Sequence, residues 1–220
     1  MGKKIKKHVI TEYEIIKEVG SICAGNSTQV FSQMIDRCIK LEAPQLEVFS
    51  FKDIDRVLQS SEKIVVGVHC NLLTKIPGQI SLLFLEKSAY EFVSIFATPG
   101  KMSPGFLTQL GVSTIKEVGN VVVFAYAGAM SLLMNEVVIP SIPVLSSGPL
   151  KEAIKFGLTN FKNTDKIYAH RMLFIDNDRR INGSFFLVLG QDVVAYISNE
   201  MRNNLKEIGR MKDKSGEAGN

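Results

Sequence analysis

The stretch Ser113-Thr114-Ile115-Lys116-Glu117-Val118-Gly119-Asn120 has a near copy 99 residues earlier, Glu14-Ile15-Ile16-Lys17-Glu18-Val19-Gly20-Ser21. In each, a proline follows 23 residues after the last position, Pro143 and Pro44. Helix positions three apart share a face, so Glu117 and Asn120 project together, and Ser113 lies one turn earlier on the same stripe. The earlier copy keeps the acid, Glu18. It puts the hydroxyl of Ser21 where the amide stands, and Glu14 where Ser113 stands. An acid beside an amide forms a small polar site, and the first copy lacks the amide.

Both motifs sit in long helical segments. Ile15, Val19, Ile22, Val30 and Met34 recur at threes and fours and predict a helix over about 11–38, with Ala24-Gly25-Asn26 as a patch for close approach of another backbone. A second helix is expected from about 104 or 106 to 135. After the first come a strand over 45–51, with Leu46 and Val48 on one side and Phe49 and Phe51 on the other, and a short helix over 53–59. Strands over 63–71 and 79–85 are joined by Pro77-Gly78 and predict an antiparallel hairpin. A helix over 88–96 ends at Thr98-Pro99-Gly100.

The second half repeats this order. A strand over 137–144 contains Pro140 and Pro143 and reads as an edge or irregular strand. A short helix over 150–157, strands over 167–175 and 184–189, and a closing helix over 192–208 follow. The polar tail 211–220 is expected to be disordered. Outside the polar motif, 76–82 mirrors 181–187. A period near 100 is too long for a solenoid. The pattern predicts a mixed α/β fold of α+β type in a single domain, 1–210. Two half-repeats, about 10–100 and 101–208, would relate by a pseudo-twofold axis, with an antiparallel sheet packed against the two long helices.

The chain has 220 residues, 45% of them hydrophobic, which supports a normal core. Its net charge of +4 gathers at the ends, Lys3 to His8 and Arg202, Lys206, Arg210, Lys212 and Lys214. No aromatic residue interleaves these charges, so a solvated terminus is expected rather than a nucleic-acid site. Cys23, Cys38 and Cys70 are odd in number and form no CxxC pair, which argues against zinc and a disulfide framework and fits reduced thiols in the cytoplasm. The longest apolar run, 121–134, has 14 residues, short of the roughly 20 that cross a bilayer. It reads as a buried helix, with no membrane insertion expected. Phosphate loops of the GxxxxGK and GxGxxG types are absent. No nucleophile-and-base pair stands out: His8 lies near the terminus, and His69 and His170 fall in expected strands.

Taken alone, a Glu-Val-Gly-Asn face is a solvated helix stripe. Its repetition, with both prolines in step, changes that reading. Ser113, Glu117, Asn120 and Pro143 match the signature of the CheC/CheX/FliY family, and Glu18-Val-Gly-Ser-Ile-Cys-Ala-Gly-Asn26 is similar to the family's first helix. The resemblance covers roughly residues 10–200 and is strongest to CheC. It implies a phosphatase of the phosphorylated chemotaxis regulator CheY. The phosphatase presents a helix face to an aspartyl phosphate held with Mg²⁺ on the regulator, so no cofactor or metal belongs to this chain. By this resemblance, Asn120 orients the attacking water and Glu117 pairs with a lysine of the regulator. Glu18 and Ser21 form a degenerate second site that docks without turning over, supported by Glu14 and Pro44. The resemblance also implies CheD as a further partner, through the helix over 150–157. Leu150, Ile154 and Phe156 give that helix apolar surface, which ordinary packing explains equally well. The competing reading is a non-catalytic adaptor for a response regulator, CheD or a flagellar-switch component. An internal duplication can replace dimerisation, so a monomer is expected.

Overall fold

The computed structural model describes residues 10–54, 63–96 and 109–217, with side chains as far as residue 204. In chain order the elements are α1 (Glu12–Ile35), β1 (Ile39–Leu41), β2 (Gln45–Phe49), β3 (Ile64–Leu72), β4 (Gly78–Leu85), α2 (Glu86–Phe96), α3 (Gln109–Met134), β5 (Val144–Pro149), α4 (Leu150–Gly157), β6 (Ile167–Asp176), β7 (Asn182–Gly190) and α5 (Gln191–Glu217). Single 3₁₀ turns lie at Phe51–Asp53 and Thr159–Phe161.

The seven strands form one antiparallel sheet in the order β1-β6-β7-β4-β3-β5, with β2 also pairing with β6. Each half lends edge strands to the other half: β1 and β2 pair with β6, and β5 with β3. The centre is the β4–β7 pair, in which Ser81 faces Phe186. The 76–82 and 181–187 segments are 105 residues apart, and so are Ser81 and Phe186. A residue paired with its own counterpart marks a twofold axis, so the expected pseudo-symmetry is present in the sheet register.

The helix ends repeat the same symmetry. After α1 the chain turns at Asp36, with φ 51°, and Ser32 Oγ accepts a hydrogen bond from the Ile39 N–H at 3.1 Å. After α3 it turns at Asn135, with φ 50°, and Ser131 Oγ accepts from Val138 N–H at 2.9 Å. Asp and Asn tolerate this left-handed conformation better than most residues.

His170, Leu187, Ile80 and Cys70 stand in one row across the sheet. Val68, two residues from Cys70, shares their face. α1 and α3 cover that face. A Cβ at Gly20 of α1 would come within 2.5 Å of the His170 ring, and one at Gly119 of α3 within 2.7 Å of Val68. These two glycines let helix and sheet approach. Beneath them, Phe31, Phe84, Phe92, Phe174 and Phe185 are almost fully buried. Phe31 meets Phe84, Phe92 and Phe174 at centroid distances of 5.6–5.9 Å. Losing such a ring to alanine costs about 3–5 kcal/mol.

Several expectations change. No continuous strand covers 137–144. Pro140 makes only an isolated bridge to Leu72, and the strand begins after Pro143. Proline has no N–H, so pairing is carried around it by Leu73 N–H to Ile139 O and Ser141 N–H to Asn71 O. The counterpart stretch has Leu41 where Pro140 stands and forms β1, which hydrophobic patterning did not predict. Val48 lies exposed at the sheet edge while Leu46 and Phe49 are buried. Gly25 has open space around its Cβ position, so close approach in α1 belongs to Gly20. Of the helix expected over 53–59, the described part is the turn Phe51–Asp53, where Ser50 Oγ donates to Asp53 Oδ2 at 2.8 Å. The rest, the Thr98-Pro99-Gly100 break, the start of the helix expected at 104 or 106 and the basic segment Lys3 to His8 lie outside the described residues. α5 continues to Glu217, beyond the expected start of a disordered tail. α3 is long and apolar enough to cross a membrane by composition, and half of its most apolar stretch is buried inside the protein.

Candidate functional site

The solvent face of α3 gathers Ser113, Glu117 and Asn120, as the spacing predicts. Ser113 and Glu117 are exposed, and Asn120 is half-buried at the margin of the face. The Asn120 Oδ1 is occluded and accepts no hydrogen bond. A half-turn of the amide about χ2 exchanges this oxygen with Nδ2, so the group can turn either a donor or an acceptor outward. Pro143 stands immediately before β5, at the start of the edge strand, and Pro44 stands likewise before β2.

The α1 face differs at the atoms. Glu18 is exposed like Glu117. The Ser21 hydroxyl donates to the Lys17 carbonyl at 2.7 Å and lies along its own helix. Glu14 is used in a capping box: its Oε2 accepts from Thr11 N–H at 2.8 Å and from Thr11 Oγ1 at 2.9 Å, and Thr11 Oγ1 accepts from Glu14 N–H at 3.2 Å. Glu14 therefore anchors the start of α1 rather than taking the place of Ser113.

The two faces are neighbours. Asn26 Nδ2 donates to Ala125 O at 2.9 Å, and Tyr126 OH donates to Gly20 O at 3.2 Å. Asn26 and Ala125 are counterparts 99 residues apart, so the axis passes between them. Asn120 and Ser21 each lie one and a half turns before that point on helices that the axis makes antiparallel, which separates them by about 15 Å along the helix direction. Gly119 and Gly20 face the sheet and take no part in the outer face.

Among the described residues, the buried thiols and histidines form no nucleophile site. Burial pushes the Cys23 thiol up to about 12 and the Cys70 thiol up to about 11, so both stay protonated at neutral pH. His69 has both ring nitrogens 2.8 Å from serine hydroxyls, Ser81 and Ser146, and burial lowers its pKa to about 4. His170, beneath α1, is lowered to about 4 by burial first and by the Lys17 charge second. Among the described residues no group of three or more His, Cys, Asp or Glu side chains is arranged to hold a metal ion.

Two exposed apolar residues on this face escaped the sequence reading. Val121 and Phe124 are 44% and 48% exposed. They follow Glu117 and Asn120 by one turn each, and this spacing was the available signal.

Comparison with known proteins points the same way. No family model matches the chain. It is 24% identical over 153 residues to the CheY-P phosphatase CheC of Bacillus subtilis, covering 67% of this chain and 71% of that protein. It superposes on Thermotoga maritima FliY with a TM-score of 0.70 at 16% identity, over 89% of this chain and 99% of that one. The fold is that of the CheC/CheX/FliY family. The middle domain of FliM from H. pylori shares it more distantly, with a TM-score of 0.57 at 10% identity, over 86% of this chain and 98% of that one. The family resemblance carried by Ser113, Glu117, Asn120 and Pro143 is thus matched by an antiparallel sheet under two long helices.

Proposed function

We propose that this chain is a phosphatase of a phosphorylated CheY-type response regulator, with one working site on α3. The observation that carries the reading is the contrast at one helical position: Asn120 has an amide with an unused acceptor, and Ser21 has a hydroxyl bonded to its own backbone. The CheC likeness supplies the substrate class.

An aspartyl phosphate already has a good leaving group, so the phosphatase has to orient more than to activate. The Asn120 amide accepts a hydrogen bond from a water and holds it in line with phosphorus. The water's oxygen bonds to phosphorus, the bond from phosphorus to the aspartyl oxygen breaks, and the carboxylate leaves with the electron pair. The water's proton passes to the released phosphate or to solvent. Mg²⁺ on the regulator neutralises the phosphoryl oxygens. Glu117 docks the face by pairing with a lysine of the regulator, and Glu18 offers a similar but non-productive contact. The chain acts as a monomer in which the duplicated half takes the place of a second subunit.

The test follows the decay of phosphorylated regulator. The wild-type chain accelerates it, Asn120→Ala slows the accelerated rate by roughly 100-fold, and Glu117→Gln weakens binding more than turnover. Equal acceleration by wild type and Asn120→Ala rules the mechanism out. The adaptor reading draws on the occluded Asn120 Oδ1, which a partner must first expose. It predicts binding of regulator with no acceleration. A CheD-type partner at α4 would meet Phe156, which is half-exposed and packs edge-on against His69 at 5.3 Å.

A further inference from the structure

The outer face of α3 carries more than its polar pair. Phe124 is one turn beyond Asn120 and two turns beyond Glu117, a rise of about 6 Å and about 10 Å. Val121 lies between them on the same stripe. Single surface hydrophobics need no explanation, but an aromatic ring and a valine in register with a polar pair form a patch. A protein that brings a phosphoryl group to Asn120 must also cover a side chain one turn away, whereas a small phosphorylated metabolite need not touch it. At the counterpart of Phe124, α1 has Gly25, whose surroundings are open. Gly25 lies one residue from Asn26, which meets α3 at Ala125, the neighbour of Phe124.

Resting on the phosphatase reading, we infer that Phe124, with Val121, is the apolar anchor that holds the regulator's receiver domain against α3, and that it determines affinity while Asn120 determines turnover. The occupant is a folded protein whose phosphorylated aspartate is rimmed by apolar side chains. Aromatic residues at the centre of a patch are the usual carriers of binding energy. The absence of a ring at Gly25 is then a second lesion of the first face, independent of Ser21.

The experiment measures the affinity of the wild-type chain, Phe124→Ala, Phe124→Leu and Leu132→Ala for a beryllofluoride-activated receiver domain, so that binding is read without turnover. Leu132 is 86% exposed on the same helix but about two turns beyond Phe124, and serves as the control. Phe124→Ala raises Kd about tenfold or more, Phe124→Leu recovers part of the loss, and Leu132→Ala matches wild type. With phosphorylated regulator, Phe124→Ala raises KM and leaves kcat unchanged. Equal Kd for wild type and Phe124→Ala, equal losses for Phe124→Ala and Leu132→Ala, or no binding by wild type overturns the inference. Binding that depends on Phe124 with no turnover by wild type would instead overturn the phosphatase reading alone.

Discussion

α1 and α3 rest on the sheet in the same way and differ where they meet solvent. Inward, both use a glycine against a strand, Gly20 on His170 and Gly119 on Val68, and both end in a left-handed Asp or Asn, with a serine of the last helical turn accepting a hydrogen bond from the segment that follows. Outward, Ser113, Asn120 and Phe124 of α3 stand where α1 has Glu14, Ser21 and Gly25. The duplicated scaffold has kept its packing contacts, which set the approach of helix to sheet. Its outer side chains have diverged, because a solvent-facing position tolerates any residue that packing does not dictate. One half has specialised toward a polar and aromatic contact face and the other toward structure.

The largest effect that separates the halves is expected in acid. His170 and His69 have folded-state pKa values of about 4 against an ordinary 6.5. Above pH 6.5 both are neutral in either state and their share of the stability is intact. As pH falls from 6.5 toward 4, the unfolded chain takes up protons that the folded chain excludes, so stability falls by roughly 3 kcal/mol per histidine when the change is complete. Val68 has no such liability beneath α3. Denaturant midpoints at pH 7 and pH 4.5 should drop less in His170→Val than in wild type; an unchanged drop would mean the ring beneath α1 is not the cause.

Next come the glycines. Gly20→Ala and Gly119→Ala push a methyl group into His170 and Val68 and should each destabilise by about 1–3 kcal/mol, measured by urea unfolding. Gly25→Ala meets nothing and should stabilise α1 by about 0.5–1 kcal/mol. A Gly25→Ala variant as damaging as Gly20→Ala would break the distinction between inner and outer glycines. The smallest change is Ser21→Asn. Restoring the amide to a face without the aromatic ring should at most double turnover, and only at saturating regulator, where weak docking is no longer limiting. A doubling at low regulator concentration would show that Gly25 is no handicap.

Much of this was legible in the sequence because it rests on period and punctuation. The β3–β4 hairpin follows from two apolar runs around Pro77-Gly78, and α4 matches its expected limits of 150–157. The polar face of α3 follows from spacing alone. Other features were misread for physical reasons. Close approach in the first helix was placed at Gly25, yet Gly20, which follows the buried Ile16 by four residues, lies on the inner stripe. Glu14 was grouped with the polar motif although Thr11-x-x-Glu14 is also a helix-start pattern. The segment 137–144 has the composition of a strand and its prolines mark it as an edge or irregular one, but where pairing stops and β5 begins depends on the N–H groups those prolines lack, which hydrophobicity does not register. The bond from Ser21 to Lys17 depends on a rotamer, which spacing cannot specify.

The asymmetry between the two faces is tested most directly by comparing Ser21→Ala and Asn120→Ala in one assay, the decay of phosphorylated regulator at a fixed concentration of each variant. With Ser21→Ala the regulator should decay at the wild-type rate, and with Asn120→Ala the decay should fall toward the regulator's unassisted rate. Equal losses in the two variants, or no loss in Asn120→Ala, would contradict it.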